Sequence, residues 1–158
     1  MPNVKSIKSA ELFPAISELL KNNQKVRLTV TGDSMVPFLR ENTDSVELSS
    51  AAFKDLRFGQ ITLIKRDNGL YILHRLVRKK KDCFYIAGDA QIYIEGPLFP
   101  NHLVAVVTNV WRGDRCISPS NLLWQTLSFI WWLRFPAKYI LYRPYKLLRK
   151  LYRAIRGR

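Results

Sequence analysis

Residues 61–77 read ITLIKRDNGLYILHRLV, in which two β-prone segments flank a short polar turn. The first part of this stretch, residues 61–66, is apolar and rich in β-branched side chains, which favours a strand. Asp67-Asn68-Gly69 marks a tight turn, because Asn and Gly tolerate positive φ. Residues 70–77 then return as a second strand. The stretch therefore predicts an antiparallel β-hairpin.

Similar patterns flank this hairpin. Apolar residues spaced three and four apart between Ser9 and about Asn22 predict a short N-terminal helix. Alternating or β-rich runs predict further strands at residues 26–31, 45–48, 83–87 and 103–110. We therefore expect three parts, namely a helical segment, a mainly β domain and a helical tail, at residues 1–24, 25–118 and 119–158.

The composition is that of a globular protein, with 47% hydrophobic and 24% charged residues among 158. The net charge of +14 is unevenly distributed, since residues 121–158 contain nine Lys or Arg and no acidic residue. Such a tail is expected to bind a polyanionic partner. The two cysteines, Cys83 and Cys116, are expected to be reduced thiols. They and the two histidines do not suggest a metal site, and no cofactor is expected.

The tail combines an aromatic run with a basic amphipathic segment. Residues 122–133 are apolar, but Arg134 and Pro136 end the run well short of the roughly 20 residues that span a bilayer. Beyond them, apolar residues recur four and three apart on one helical face, at Leu141, Tyr145, Leu148, Tyr152 and Ile155.

This arrangement predicts an interfacial tail that contacts anionic lipid. The predicted contacts are Trp124, Trp131, Trp132, Arg134, Lys146, Arg149 and Lys150. Two alternatives stay open: a helix pair packed on the protein itself, and a tail that crosses the membrane. Nucleic acid is not an expected partner, because the tryptophans are not interleaved with Lys or Arg as base-stacking residues would be.

A possible nucleophile lies in Thr31-Gly32-Asp33-Ser34-Met35-Val36-Pro37-Phe38-Leu39, where a strand ends at a glycine and a serine follows on a loop. A serine hydroxyl needs a base to remove its proton. The possible bases are His74, His102 and a lysine held neutral by burial. Strand alternation places His74 on one face of its strand and Arg75 on the other.

The serine segment resembles the Gly-x-Ser-Met-x-Pro box of the signal peptidase I family and its LexA-type self-cleaving relatives. Further segments resemble later motifs of that family in the same order, namely Asp44-Ser45-Val46, Phe58-Gly59-Gln60-Ile61, His74-Arg75-Leu76-Val77, Ile86-Ala87-Gly88-Asp89 and the strand at residues 101–107. The resemblance covers roughly residues 28–112. It implies a coiled β-sheet domain of the signal peptidase and LexA type.

The resemblance also implies roles for individual residues. Ser34 would be the nucleophile, and His74 its general base, as in the histidine-using branch of the family. Asp89 would be the third catalytic residue, with Glu95 as the alternative. Met35 and Pro37 would contact the substrate.

The implied function is a serine endopeptidase that removes a leader or signal segment from a precursor peptide or protein. A catalytically inactive peptide-binding or membrane-binding module of the same fold is the alternative. The N-terminal segment lacks the apolar run of a signal or anchor. We therefore expect peripheral association with the cytoplasmic face of a membrane through the tail.

Overall fold

The computed structural model describes residues 9–133 and shows a mainly β protein. An eight-stranded antiparallel sheet is preceded by one helix and followed by another. In chain order the elements are α1 (Ser9–Lys21), β1 (Val26–Thr29), β2 (Asp44–Ser49), β3 (Ile61–Lys65), β4 (Tyr71–Lys79), β5 (Phe84–Ala87), β6 (Glu95–Leu98), β7 (Leu103–Arg112), β8 (Arg115–Ile117) and α2 (residues 122–133).

The sheet has the strand order β1-β2-β7-β3-β4-β5-β6, and β8 pairs with the end of β7. The predicted hairpin is confirmed as β3 and β4, which pair with Thr62 opposite His74. Its turn is closed by Gly69, which has a φ of 82° and donates to the carbonyl of Arg66 at 2.9 Å. The two strands are therefore held in one register at the centre of the sheet.

Apolar clusters cover both faces of the central strands. The first cluster includes Leu63 of β3 and Ile16 and Leu20 of α1. The second cluster includes the next residue of β3, Ile64, and Leu76 of β4. Because both faces of the sheet are covered here, four successive residues of β3 are buried without alternation.

Strands β6 and β8 were not predicted from the sequence. β6 consists of Glu-Gly-Pro-Leu, a composition that disfavours a strand, and it lies at an edge of the sheet, where proline is tolerated. Its pairing with β5 places Glu95 opposite Ile86. This strand forms through contacts with its neighbour, and it determines where Glu95 lies.

Helix α2 starts at a cap, since the side chain of Asn121 accepts a hydrogen bond from the Leu123 N–H at 2.9 Å. Within residues 9–133, no helix is both long and apolar enough to cross a bilayer. The amphipathic helix predicted from Leu141 onward lies outside the described residues. The predicted lipid contacts of the distal tail also lie outside them, namely Arg134, Lys146, Arg149 and Lys150.

Candidate active site

Ser34 lies in the loop between β1 and β2 and is half-buried. The loop is tightly turned, with the Val36 N–H donating to Asp33 O at 3.1 Å and the Leu39 N–H donating to Met35 O at 2.9 Å. Met35 and Leu39 are 2% and 0% exposed and belong to the first apolar cluster. Ser34 is therefore held beside a residue that is anchored in the core.

The Ser34 backbone packs against the turn that follows β5. Its carbonyl accepts a hydrogen bond from the Ala90 N–H at 2.9 Å. A Cβ atom placed on Gly88 would lie 2.6 Å from the same carbonyl oxygen. Only glycine at position 88 therefore allows this close approach without a shift of the backbone.

The same turn lies beside His74. β4 and β5 are antiparallel, with Arg75 opposite Ala87, the last residue of β5. Gly88 follows Ala87 and His74 precedes Arg75, so the turn begins next to the part of β4 that contains His74. The structure thus brings the Ser34 loop to the strand end that borders His74. No hydrogen bond between Ser34 and His74 is present in the part of the chain that the structure describes.

His74 is almost fully enclosed, with 2% of its surface exposed. Its carbonyl accepts a hydrogen bond from Thr62 Oγ1 at 3.0 Å, while its Nδ1 is buried without a hydrogen-bond partner. Burial lowers the pKa of His74 to about 4. The charge of Glu95 opposes this shift, and that of Arg66 adds to it. The imidazole is therefore neutral at pH 7 and can accept a proton.

Glu95 is the carboxylate that faces His74, with its Oε2 at 4.0 Å from Nδ1. Arg66 holds both oxygens of this carboxylate, through Nε–Oε1 at 2.7 Å and Nη2–Oε2 at 2.5 Å. The bond to Glu95 raises the pKa of Arg66. Glu95 thus lies between a cation that already binds it and a histidine just beyond hydrogen-bond distance.

Asp89 occupies a different environment. Both of its oxygens accept hydrogen bonds at 2.7 Å from Arg75, whose Nη1 also donates to Gly59 O at 2.7 Å. Asp89 is 5% exposed, and Arg75 lies on the face of β4 opposite His74. Through Arg75, the carboxylate of Asp89 is therefore linked to the Gly59 segment. Of the two acids, Glu95 has the carboxylate in contact with His74. Sequence reasoning missed Arg75 and Arg66 as partners of the two acids, although the alternation of β4 already separated Arg75 from His74.

The two predicted substrate contacts differ in exposure. The Met35 side chain is buried in the first cluster, whereas Pro37 and its neighbour Val36 are exposed. A substrate beside Ser34 can therefore meet the side chains of Val36 and Pro37. Met35 acts from the core, where it positions the loop.

The tryptophans of α2 face the β domain. Trp124 meets Phe38 edge-on at 5.4 Å, and Trp131 donates from Nε1 to Asp89 O at 2.8 Å. Trp132 meets Phe58 edge-on at 5.0 Å. All three are half-buried, and their spacing of seven and one along the helix places them on one side.

The outer face of α2 is apolar and exposed. Its residues are each at least half exposed: Leu122, Leu123, Leu127, Phe129, Ile130 and Leu133. An exposed apolar face of this kind is typical of a surface that binds a partner or a membrane. The sequence predicted lipid contact for the three tryptophans, but in the structure they pack against the β domain. The spacing of the leucines was the signal for the exposed apolar face.

Comparison of the chain with protein-family models, with curated proteins and with solved structures gave no match. Among the described residues, no group of three or more His, Cys, Asp or Glu side chains could hold a metal ion.

Proposed function

We propose that this chain is a serine endopeptidase of the signal peptidase type, with Ser34 as nucleophile and His74 as general base. The observation that supports the proposal is the position of the Ser34 carbonyl, which accepts a hydrogen bond from the Ala90 N–H and packs on Gly88. Gly88 directly follows Ala87, which pairs with Arg75, the neighbour of His74 in β4. The antiparallel sheet and its helices are compatible with the coiled signal peptidase and LexA-type fold, which is part of the proposal.

In this mechanism the Ser34 Oγ attacks a scissile peptide carbonyl while a ring nitrogen of His74 accepts its proton. Because Nδ1 faces Glu95, we assign the N–H to Nδ1 and the accepting lone pair to Nε2. The imidazolium then protonates the leaving amine, and the acyl-enzyme is hydrolysed by water with His74 as base. Backbone N–H groups near Ser34 stabilise the oxyanion.

Glu95 is our choice for the third catalytic residue. Its carboxylate lies on the Nδ1 side of the ring, where negative charge stabilises the imidazolium that forms during the reaction. Movement of less than about 1 Å would bring it within hydrogen-bond distance. Asp89 instead positions the turn that carries Gly88 and Ala90, and so acts on the Ser34 loop.

The substrate in this proposal is a precursor peptide or protein that presents a leader or signal segment at a membrane surface. The exposed apolar face of α2 supports membrane contact, and so does a tail with nine basic residues and no acid in residues 121–158. Anionic lipid is the second partner. We place the protein peripherally on the cytoplasmic face.

One observation favours the alternative of a catalytically inactive binding module. His74 is 2% exposed, and no hydrogen bond joins it to Ser34 in the described residues. A module of this kind would bind precursor peptide equally well with and without the Ser34 hydroxyl and would not cleave it. The enzyme and the module therefore differ in covalent chemistry at Ser34.

The deciding experiment is covalent labelling with a fluorophosphonate, followed by mass spectrometry of the labelled peptide. We expect modification of Ser34 in the wild type and none in Ser34→Ala or His74→Ala. Ser50→Ala is the matched control, since Ser50 is an exposed loop serine. Equal labelling of all four proteins would refute the mechanism, provided that circular dichroism shows each of them to be folded.

A further inference from the structure

A cavity of about 650 Å³ lies between α2, β7 and the segment before β3. Its apolar lining comes mainly from Phe58, Val106, Trp124, Phe129 and Trp132. None of the proposed catalytic residues lines it, and Arg75, which does, points away from the His74 face. The cavity is therefore separate from the candidate active site, and its volume is that of a small-molecule site.

Three polar atoms of α2 in this lining lack hydrogen-bond partners. They are the Nε1 atoms of Trp124 and Trp132 and the Oγ of Ser128, all buried. The three residues are spaced by four, so they share one face of the helix. Ser128 is 8% exposed, which makes it a deeply buried hydroxyl in contact with the cavity. An indole N–H can only donate, so the site calls for an occupant that supplies acceptor atoms.

The charge of the lining limits the occupant further. The cavity has no acidic residue in its lining but has two arginines. Arg75 is neutralised by Asp89, whereas Arg57 is exposed and makes no ion pair with any described residue. An occupant with acceptor oxygens and a negative charge would meet both the unpaired donors and Arg57.

We propose that this cavity binds a medium-chain carboxylate, an amphiphile of the fatty acid class. Arg57 supplies the countercharge, the carboxylate oxygens accept from the donor at that end of the cavity, Trp132 Nε1, and the alkyl chain fills the apolar lining toward Trp124. Trp132 contacts Phe58, the neighbour of Arg57. A peptide segment fits less well, because it would bring as many N–H donors as acceptors into a lining that is already rich in donors. The exposed apolar face on the outside of α2 offers a path from a membrane, where such amphiphiles partition.

Calorimetric titration of the full chain with decanoate below its micellar concentration tests the proposal. We expect saturable binding at one site, and binding of 1-decanol weaker by about tenfold, since the alcohol lacks the charge. Equal binding of the two compounds would overturn the role of the carboxylate. Vesicles of phosphatidylglycerol are titrated as the third ligand. Binding of the phospholipid without binding of decanoate would also overturn the proposal.

Variants locate the site. Ser128→Leu narrows the cavity and removes one donor, and we expect it to weaken decanoate binding about tenfold or more. Thr126→Leu is the matched control, because Thr126 lies on the exposed side of the same helix. Trp132→Phe keeps an aromatic ring and removes the indole N–H together with part of the ring system, so it tests this position even if Ser128→Leu does not fold. A loss for decanoate with no loss for 1-decanol would assign the effect to the N–H, and equal losses for both would assign it to the ring.

Arg57→Gln should weaken the binding of decanoate and leave that of 1-decanol unchanged, with exposed Arg115→Gln as control. If Ser128→Leu and Thr126→Leu bind alike while both are folded, decanoate binds the outer surface and the proposal fails. Fluorophosphonate labelling of Ser34 is measured in parallel. Its outcome is independent of decanoate binding, so failure of the proposed catalytic function is distinguishable from failure of this site.

Discussion

The Oε2 atom of Glu95 lies 4.0 Å from Nδ1 of His74, and no other carboxylate forms an ion-pair contact with this ring among the described residues. Asp89, which follows the Gly88 turn, is held by Arg75 through both oxygens. The two acids that the sequence leaves as alternatives therefore have different environments. One is near the histidine, and the other binds a buried cation.

Glu95→Gln and Asp89→Asn are expected to have different effects, the first on the rate of Ser34 labelling and the second on stability. Loss of the Glu95 charge should slow fluorophosphonate labelling of Ser34 by about two orders of magnitude or more, with little loss of stability, because it stabilises the imidazolium. Asp89→Asn leaves Arg75 buried without its countercharge and should cost about 3–5 kcal/mol in the free energy of unfolding. Urea denaturation and labelling rates check both, with exposed Asp82→Asn as control. An unchanged rate in Glu95→Gln would exclude Glu95 from the mechanism.

The low pKa of His74 predicts a dependence of stability on pH. The pKa is about 4 in the folded state and 6.5 in its ordinary state, so the unfolded chain binds the extra proton first as pH falls. Stability from this group is fully present above about pH 6.5 and is lost between pH 6.5 and 4, by about 3 kcal/mol. His74→Gln should flatten this part of the curve. The same slope in the variant and the wild type would show that other groups produce it.

The ion pair between Arg66 and Glu95 is expected to limit the basicity of His74. Arg66 holds Glu95 and adds a positive charge that lowers the pKa of His74. Arg66→Gln should therefore raise that pKa, and the labelling rate should reach its plateau at a higher pH. Proton NMR of the imidazole signal measures the shift directly. Exposed Arg78→Gln serves as the control, and an unchanged pKa in Arg66→Gln would contradict the assignment.

Gly88→Ala tests the approach of the Ser34 loop. The new Cβ would lie 2.6 Å from Ser34 O, so the loop or β5 must move. We expect loss of labelling and a destabilisation of about 1–3 kcal/mol. Gly113→Ala is the comparison, because Gly113 has a φ of 59° at a distant turn, where alanine strains the backbone without touching Ser34. If the two variants label Ser34 at the same rate, the close approach at Gly88 has no part in the reaction.

The outer face of α2 predicts a membrane contact that a single charge can weaken. Leu127 is 50% exposed on that face, and Leu127→Glu should reduce pelleting with phosphatidylglycerol vesicles about tenfold, since it removes apolar area and adds repulsion. Thr43→Glu adds the same charge at an exposed polar position outside α2. Equal pelleting of the two variants would leave electrostatic attraction to the basic tail as the whole effect. A series of salt concentrations separates the electrostatic and apolar contributions.

Much of the fold could be predicted from local patterns. The period of two in residues 26–30, the Asn-Gly turn and the β-rich runs correspond to β1, the β3–β4 hairpin and β7. Strand β6 could not be predicted, because Glu-Gly-Pro-Leu has no strand signal of its own and is held by pairing with β5. The direction of the α2 tryptophans also escaped prediction, since a helix with apolar residues on every side has no single preferred inner face.

The local sequence was enough to predict that His74 and Arg75 point to opposite faces of one strand, because side chains alternate along any extended backbone. It also determined that Ser34 follows a strand on a loop. Only the tertiary structure decided that the Ser34 carbonyl lies on Gly88 and that Glu95, rather than Asp89, lies near His74. Both relations depend on which strands become neighbours. That choice is made by burial of apolar side chains from distant parts of the chain, and no local pattern encodes it.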